Sequence, residues 1–339
     1  MKGKFQHFFG IDVSKLKIDV CAMINADRCV VHQDVFDQTR MGFKLLDRWI
    51  KKVSATPDPS EVLICMENTG LYHEPLLRFL FEKKYSVCVE NAMLIKSSIR
   101  DKRAKNDKLD ARNIALYAIE HAYELQLWEQ PREVVVRLKE AIAMRAYLVE
   151  NLRSMTVRQN ELDFFKWAGH TPKKYGAGIK GLKKDIDQVD KDIWELISGD
   201  KELLRLFTLL ISIASIGKVT AAHFICYTNE FKKVINGKHM SSYCGVVPFE
   251  QTSGTSVKKK PRVSHQANKI LKRLLHLCAL TAIKMKGEFE KYYQRKIMEG
   301  KNPMMVLNAI RNKLVLRMVA VVRSGEPYDP NYIYKKMIK

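Results

Sequence analysis

An α/β domain followed by an all-α region is the fold class this sequence predicts, on three observations. Over the first 121 residues, short apolar runs bounded by turn residues alternate with runs of helical periodicity. From Glu129-Gln130-Pro131 onward, apolar residues recur mainly at spacings of three and four. A chain of 339 residues, 46% of them hydrophobic, supplies core for two or three domains of roughly 100–200 residues each.

Each element has its own signal. Phe8–Val13, Ile18–Met23 and Cys29–Gln33 read as three closely spaced strands of an antiparallel meander. Phe43, Leu45, Leu46, Trp49 and Ile50 then trace one face of a helix, followed by the apolar strand Val62–Met66. A helix over Pro75–Lys83, a strand over Ser86–Val89 and a long helix over Asp107–His121 complete the set. The order β-β-β-α-β-α-β-α is that of the RNase H-like fold, a mixed sheet with helices on its faces.

Beyond Pro131, Leu138, Ala141, Arg145, Leu148, Leu152, Met155, Gln159 and Leu162 form a heptad seam. The seam predicts a coiled coil, as a helical hairpin or as a dimerising arm. Gly169–Gly181 is expected to break the helix, and a second helix to run over Lys183–Ser198. A further helical domain starts near Glu202, with the turn Ala214-Ser215-Ile216-Gly217 opening a helix over Lys218–Thr228. Such a turn resembles a helix-hairpin-helix and offers backbone N–H groups to a phosphate. Pro248–Arg262 reads as a long polar loop, and Asn268–Val322 as basic helices. The chain thus divides into residues 1–125, 126–200 and 201–339: an α/β domain, a helical linker and a second helical domain.

Charge narrows the function. The net charge is +22, and residues 251–339 alone hold 20 Lys and Arg against five Asp and Glu, +15. That concentration predicts a nucleic-acid partner, DNA, RNA or both, bound with strong salt dependence. The longest apolar run, Leu206–Gly217, is too short for a membrane span, and no leader pattern opens the sequence, so a cytosolic location is expected. Seven scattered cysteines, without a CxxC pair, read as core thiols rather than disulfides or zinc ligands.

Four carboxylates carry chemistry. Asp12 ends the first strand, Glu67 ends the fourth, and Asp107 and Asp110 lie three apart at the start of the last helix of the α/β domain. In an RNase H-like sheet the two strand ends are neighbours, and an i, i+3 pair shares one helical face. Acidic residues also suit a first helical turn for structural reasons alone, but four in matching elements favour a site. Such a cluster repels itself unless cations occupy it, and hard oxygens suit Mg²⁺ or Mn²⁺. Asp19, Glu90 and Asp101 fit this geometry less well and read as surface or supporting residues.

The motifs Gly10-Ile11-Asp12-Val13-Ser14-Lys15, Glu67-Asn68-Thr69-Gly70-Leu71-Tyr72 and Lys105-Asn106-Asp107-Lys108-Leu109-Asp110-Ala111 resemble the N-terminal motifs of DEDD-type insertion-sequence transposases. That family includes Piv-like DNA invertases and bridge-RNA-guided recombinases. Ile216-Gly217, Thr220-Ala221, Tyr243-Cys244-Gly245-Val246-Val247-Pro248, Ser253-Gly254 and Asn268–Leu275 resemble its second domain. The resemblance implies a RuvC-like catalytic domain, a coiled-coil linker and a C-terminal transposase domain bringing a serine nucleophile to the metal site.

On this chain the resemblance puts that serine at Ser253, among the neighbouring hydroxyls of Ser242, Thr252, Ser256 and Ser264. Lys258, Lys259, Lys260, Arg262, Lys269, Lys272 and Arg273 are the expected nucleic-acid contacts. A noncoding guide RNA and a homodimer or tetramer are further implications. The chain departs from the family at Ala214-Ser215, where a Pro-Gly pair is usual. Two other functions remain open on the residues alone: a junction-resolving nuclease using water, and a non-catalytic nucleic-acid-binding protein.

Overall fold

The computed structural model describes residues 5–24, 30–56, 58–70, 72–98, 107–164, 175–232, 234, 236–253, 257–263 and 267–330. It divides into two compact units, Met1–Gln130 and Pro131–Lys339.

The first unit is built on a five-stranded sheet of β1 (His7–Val13), β2 (Lys17–Ile24), β3 (Val30–Asp37), β4 (Val62–Glu67) and β5 (Ser86–Glu90), in the order β3-β2-β1-β4-β5. The meander pairs β1–β2 and β2–β3 are antiparallel, whereas β1–β4 and β4–β5 are parallel. This is the mixed sheet expected from the order of elements. Phe9, Ile11, Val13, Ile18 and Val20 pack on one face against α1 (Arg40–Ser54) and α2 (Glu74–Glu82). On the other face, Phe8, Leu63, Cys65 and Cys88 pack against α3 (Ala92–Ser98) and α4 (Asp107–His121). Alternation along each strand produces the two faces, since neighbouring residues point to opposite sides. The helix α3 is absent from the sequence prediction, its single turn of burial at Ile95 being too short to give a period. Strand β3 runs four residues past the predicted Gln33 because polar positions there pair with β2 at the sheet edge, where one face is free to be wet.

In the second unit, α5 (Glu133–Phe164) and α6 (Gly176–Ser198) run antiparallel. Arg145 meets Asp190 across them, and a Cβ at Gly178 would stand 2.7 Å from Met155 Cε. The seam residues Ala141, Arg145, Leu148, Leu152, Met155, Gln159 and Leu162 are all partly buried, while most positions between them are exposed. Arg145 is tolerated in the seam because Asp190 takes both its Nε and Nη2, at 2.5 and 3.1 Å. The break expected over Gly169–Gly181 is corrected at its end: Gly176, Gly178 and Gly181 lie inside α6, and close packing on Met155 favours a residue without a side chain at Gly178, whereas a Cβ at Gly176 or Gly181 would meet open space.

Val135, Leu138, Ile142 and Ile197 from this pair join the core formed by α7 (Lys201–Ile211), α8 (Lys218–Tyr227), α9 (Gly237–Tyr243), α10 (Lys269–Ala282) and α12 (Pro303–Ser324), with α11 (Glu288–Met298) covering its edge through Phe289. Of the predicted polar loop, Pro248–Ser253 and Val257–Val263 instead form an antiparallel ribbon, β6–β7. Its composition hides the strands, since Lys and Pro are poor strand formers, but a two-stranded ribbon has only edges and accepts both.

Candidate active site

The carboxylates are positioned by the sheet and by one glycine. Asp12 is the sixth residue of β1 and Glu67 the last of β4. The parallel register pairs Gly10 with Cys65 and Ile11 with Met66, so one further step brings Asp12 level with Glu67 on adjacent strands. Both stand on the α4 face, two residues beyond Gly10 and Cys65 respectively. At Gly10 the helix lies directly on the sheet, because a Cβ there would stand 2.1 Å from the Ala111 carbonyl oxygen and 2.3 Å from the Ala115 nitrogen. Ala111 follows Asp110, so the first turn of α4 runs past the strand ends that carry Asp12 and Glu67.

Asp12, Glu67 and Asp110 are each partly buried, open enough for a ligand and held by the sheet and helix beneath them. Asp107 begins α4, one turn before Ala111. Among the described residues no three acidic, imidazole or thiol side chains already converge on one point. The donor set suits a hard divalent cation on chemistry alone: carboxylate oxygens from two adjacent strands and the helix laid across them.

Two acidic residues read as peripheral from sequence are close neighbours of this set. Asp19 pairs with Asp12 across β1–β2, is 4% exposed, and is held by Lys17 at 3.1 Å. Glu90 pairs with Glu67 across β4–β5, and its charge helps burial push the Tyr117 phenol up to about 12. Cross-strand partners share a face, so Asp19, Asp12, Glu67 and Glu90 form a row across four strands. Only the register reveals this, and a strand's own sequence does not fix the register. Asp101 lies outside the described residues.

The remaining predicted positions lie in the second unit. Ser253 ends β6, paired with Val257 of β7, so it stands at the tip of the ribbon. Lys258, Lys259, Lys260 and Arg262 lie along β7. Ser256 and Ser264 lie outside the described residues, Thr252 is in β6 and Ser242 in α9. Lys269, Lys272 and Arg273 occupy the first two turns of α10, which is capped by Asn268 through bonds from the Ile270 and Leu271 amides. Asn268 also donates Nδ2 to the Tyr243 hydroxyl at 3.1 Å, and its own amide donates to the Tyr243 carbonyl. The Tyr243-Cys244-Gly245 motif is thereby tied to the start of α10. In the turn before α8, Ser215 takes φ +77°, a conformation that glycine adopts without strain.

Two sequence profiles match the chain: one described as "Transposase" over residues 9–162, and one described as "Transposase IS116/IS110/IS902 family" over residues 207–294. The chain belongs to this transposase family. The pilin gene-inverting protein of Moraxella bovis is 26% identical over 95% of this chain and 97% of its own length, and that of Moraxella lacunata is alike. An insertion element IS110 protein of 43.6 kDa from Streptomyces coelicolor is 26% identical over 37% of this chain and 30% of its own. Among solved structures, T. thermophilus RuvC in complex with a Holliday junction substrate aligns with 36% of this chain and 99% of its own at 12% identity, with a TM-score of 0.27. The first profile spans all three carboxylate motifs of this transposase, and the second spans the ribbon and α10.

Proposed function

We propose that this transposase cuts and rejoins DNA by phosphoryl transfer to Ser253, with Asp12, Glu67, Asp107 and Asp110 holding Mg²⁺ or Mn²⁺. The observation that carries the reading is the level placement of Asp12 and Glu67 on adjacent strands under the acidic first turn of α4. Bound there, a divalent ion would supply Lewis-acid stabilisation of phosphate oxygens. Ser253 Oγ attacks the scissile phosphorus, forming one phosphoester bond as the bond to a DNA oxygen breaks. The serine proton is lost, and the leaving oxygen gains one to become a free hydroxyl. Bond energy is conserved in the phosphoserine, so a DNA hydroxyl reverses the step in a new partner without ATP.

Lys258, Lys259, Lys260, Arg262, Lys269, Lys272 and Arg273 serve backbone phosphates, and the preponderance of positive charge over residues 251–339 supports this. We assign strand chemistry to residues 1–125, assembly to the helical segment 126–200 and nucleophile delivery to 201–339. A noncoding guide RNA selects the DNA, and a homodimer or tetramer holds two duplexes.

The test is to incubate protein, co-expressed flanking RNA and labelled DNA from the element's own ends with Mg²⁺, beside a Ser253→Ala control. A denaturant-resistant protein–DNA adduct, absent from the control, is the expected result. Cleaved DNA without an adduct would instead make water the nucleophile and the protein a nuclease. Tight binding with no cleavage and no response to Mg²⁺ would leave a binding protein.

A further inference from the structure

Where α10 packs on α12, the second unit buries positive charge without balancing it. Arg311 on α12 is only 6% exposed, and its Nε has no hydrogen-bond partner. Among the described residues no carboxylate pairs with it. Burial alone depresses its guanidinium, with no opposing acidic charge. Lys272 and His276 face it from one side of α10, four residues apart. Both are held below their usual protonation range by burial first and by the Arg311 charge second. His276 Nδ1 is also buried without a partner.

A fold gains nothing from this arrangement in isolation. Taking a guanidinium out of water with no counter-charge costs several kcal/mol, and two further cations beside it add repulsion. An anion removes both costs at once. The guanidinium fork matches tetrahedral phosphate oxygens, and Lys272 and His276, partly exposed, flank it toward solvent.

The surroundings are built rather than incidental. Asn308, one turn before Arg311 on α12, donates Nδ2 to the Val246 carbonyl at 2.8 Å. Gly245 takes φ +64°, and a Cβ there would meet Ala267 Cβ at 2.3 Å and Lys272 Cδ at 3.6 Å. The cluster is therefore braced against the Gly245-Val246 turn, two residues before β6 begins.

We propose that Arg311, His276 and Lys272 form a phosphate-binding site at the root of the β6–β7 ribbon. Resting on the nucleic-acid reading above, the phosphate is a diester of the bound strand; a free phosphate has the same chemistry.

The test uses the full chain and Arg311→Met, which keeps an unbranched apolar stem as far as the Nε position and removes the charged guanidinium. One arm follows thermal unfolding with added inorganic phosphate; the other measures binding of a fluorescent 12-nucleotide oligothymidylate across salt concentrations. Expected in the first arm is a phosphate-dependent rise in Tm for the wild type that Arg311→Met lacks. Expected in the second is about tenfold weaker binding by the variant at low salt, with the slope of log affinity against log salt shallower by about 0.7, one phosphate contact on a single strand.

A response to inorganic phosphate with an unchanged oligonucleotide slope supports the site and makes its ligand free phosphate. No phosphate response and an unchanged slope overturn it. Failure of the wild type to bind any oligonucleotide would sink the nucleic-acid reading, while the phosphate arm still decides this site. If Arg311→Met does not fold, Lys272→Gln/His276→Gln gives the same readouts.

Discussion

Gly10 on β1 and Ala111 on α4 are in backbone contact: a Cβ on Gly10 would lie 2.1 Å from the Ala111 carbonyl oxygen. This contact sets how near the first turn of α4 comes to Asp12 and Glu67.

Gly10→Ala is expected to lift α4 from the sheet, because the clash is with backbone and cannot be relieved by a rotamer. Overpacking of this kind costs about 1–3 kcal/mol, which a lower midpoint in urea unfolding at unchanged slope would register. Strand cleavage should fall much further than stability does, since the Asp110 side of the site moves with the helix. Wild-type stability in the variant would show that the helix is free to shift.

Asp110→Asn keeps size and hydrogen bonding but removes one negative charge. Cleavage is expected to drop at least about a hundredfold, the loss of several kcal/mol of charge stabilisation, while DNA binding measured with EDTA present is unchanged or tighter. Chelation should abolish wild-type cleavage, and Mn²⁺ should restore it in a gel assay. Full cleavage in EDTA would remove the metal from the mechanism.

Ser215→Gly should stabilise the second unit by about 1 kcal/mol. It relieves a left-handed residue and deletes a buried hydroxyl that lacks a hydrogen-bond partner, against the extra backbone entropy of glycine in the unfolded chain. Thermal unfolding reads the change, and a lower Tm would mean that Ser215 holds the turn by other means.

Arg132 gathers Asp200 and Glu230, the latter within a turn where Asn229, Glu230 and Phe231 all have positive φ. The Arg132 hydrogen bonds hold the Asp200 carboxyl down to about 2. Burial opposes the charge on Glu230, but Arg132 and Lys232 together outweigh it and lower that carboxyl too. Both groups are depressed on folding, so their stabilisation is present above the ordinary carboxylate range and lost as pH falls toward 2. Arg132→Met should cost about 2 kcal/mol at pH 7, less than a fully buried pair because Lys232 stays with Glu230, and should flatten the acid limb of stability against pH. An unchanged acid limb would assign that limb to other carboxylates.

Much of the first unit is legible in the sequence because its central strands, such as β1 and β4, are buried on both faces and read as nearly continuous apolar runs bounded by turn residues. The end positions of Asp12 and Glu67 follow from those runs. Asp19 and Glu90 are harder to place, since a strand pattern gives faces but not register, and register alone puts them beside Asp12 and Glu67. In the second unit the seam from Leu138 to Leu162 is legible, but not which helix it meets; Asp190 and Gly178 decide that on α6. The ribbon around Ser253 is hidden by residues that favour neither helix nor strand.

The sequence by itself determined the five strands of the first unit and their order along the chain, the placement of Asp12 and Glu67 near strand ends and of Asp107 and Asp110 at a helix start, and the concentration of positive charge in the last quarter of the chain, because apolar runs, periodicity and composition are local properties. Tertiary structure alone decided the row of acids across β2, β1, β4 and β5, the passage of α4 over Gly10 and the unpaired Arg311 beside Lys272 and His276. Each depends on residues far apart in the chain being pressed together, and the cost of burying a charge exists only once the fold has taken water away.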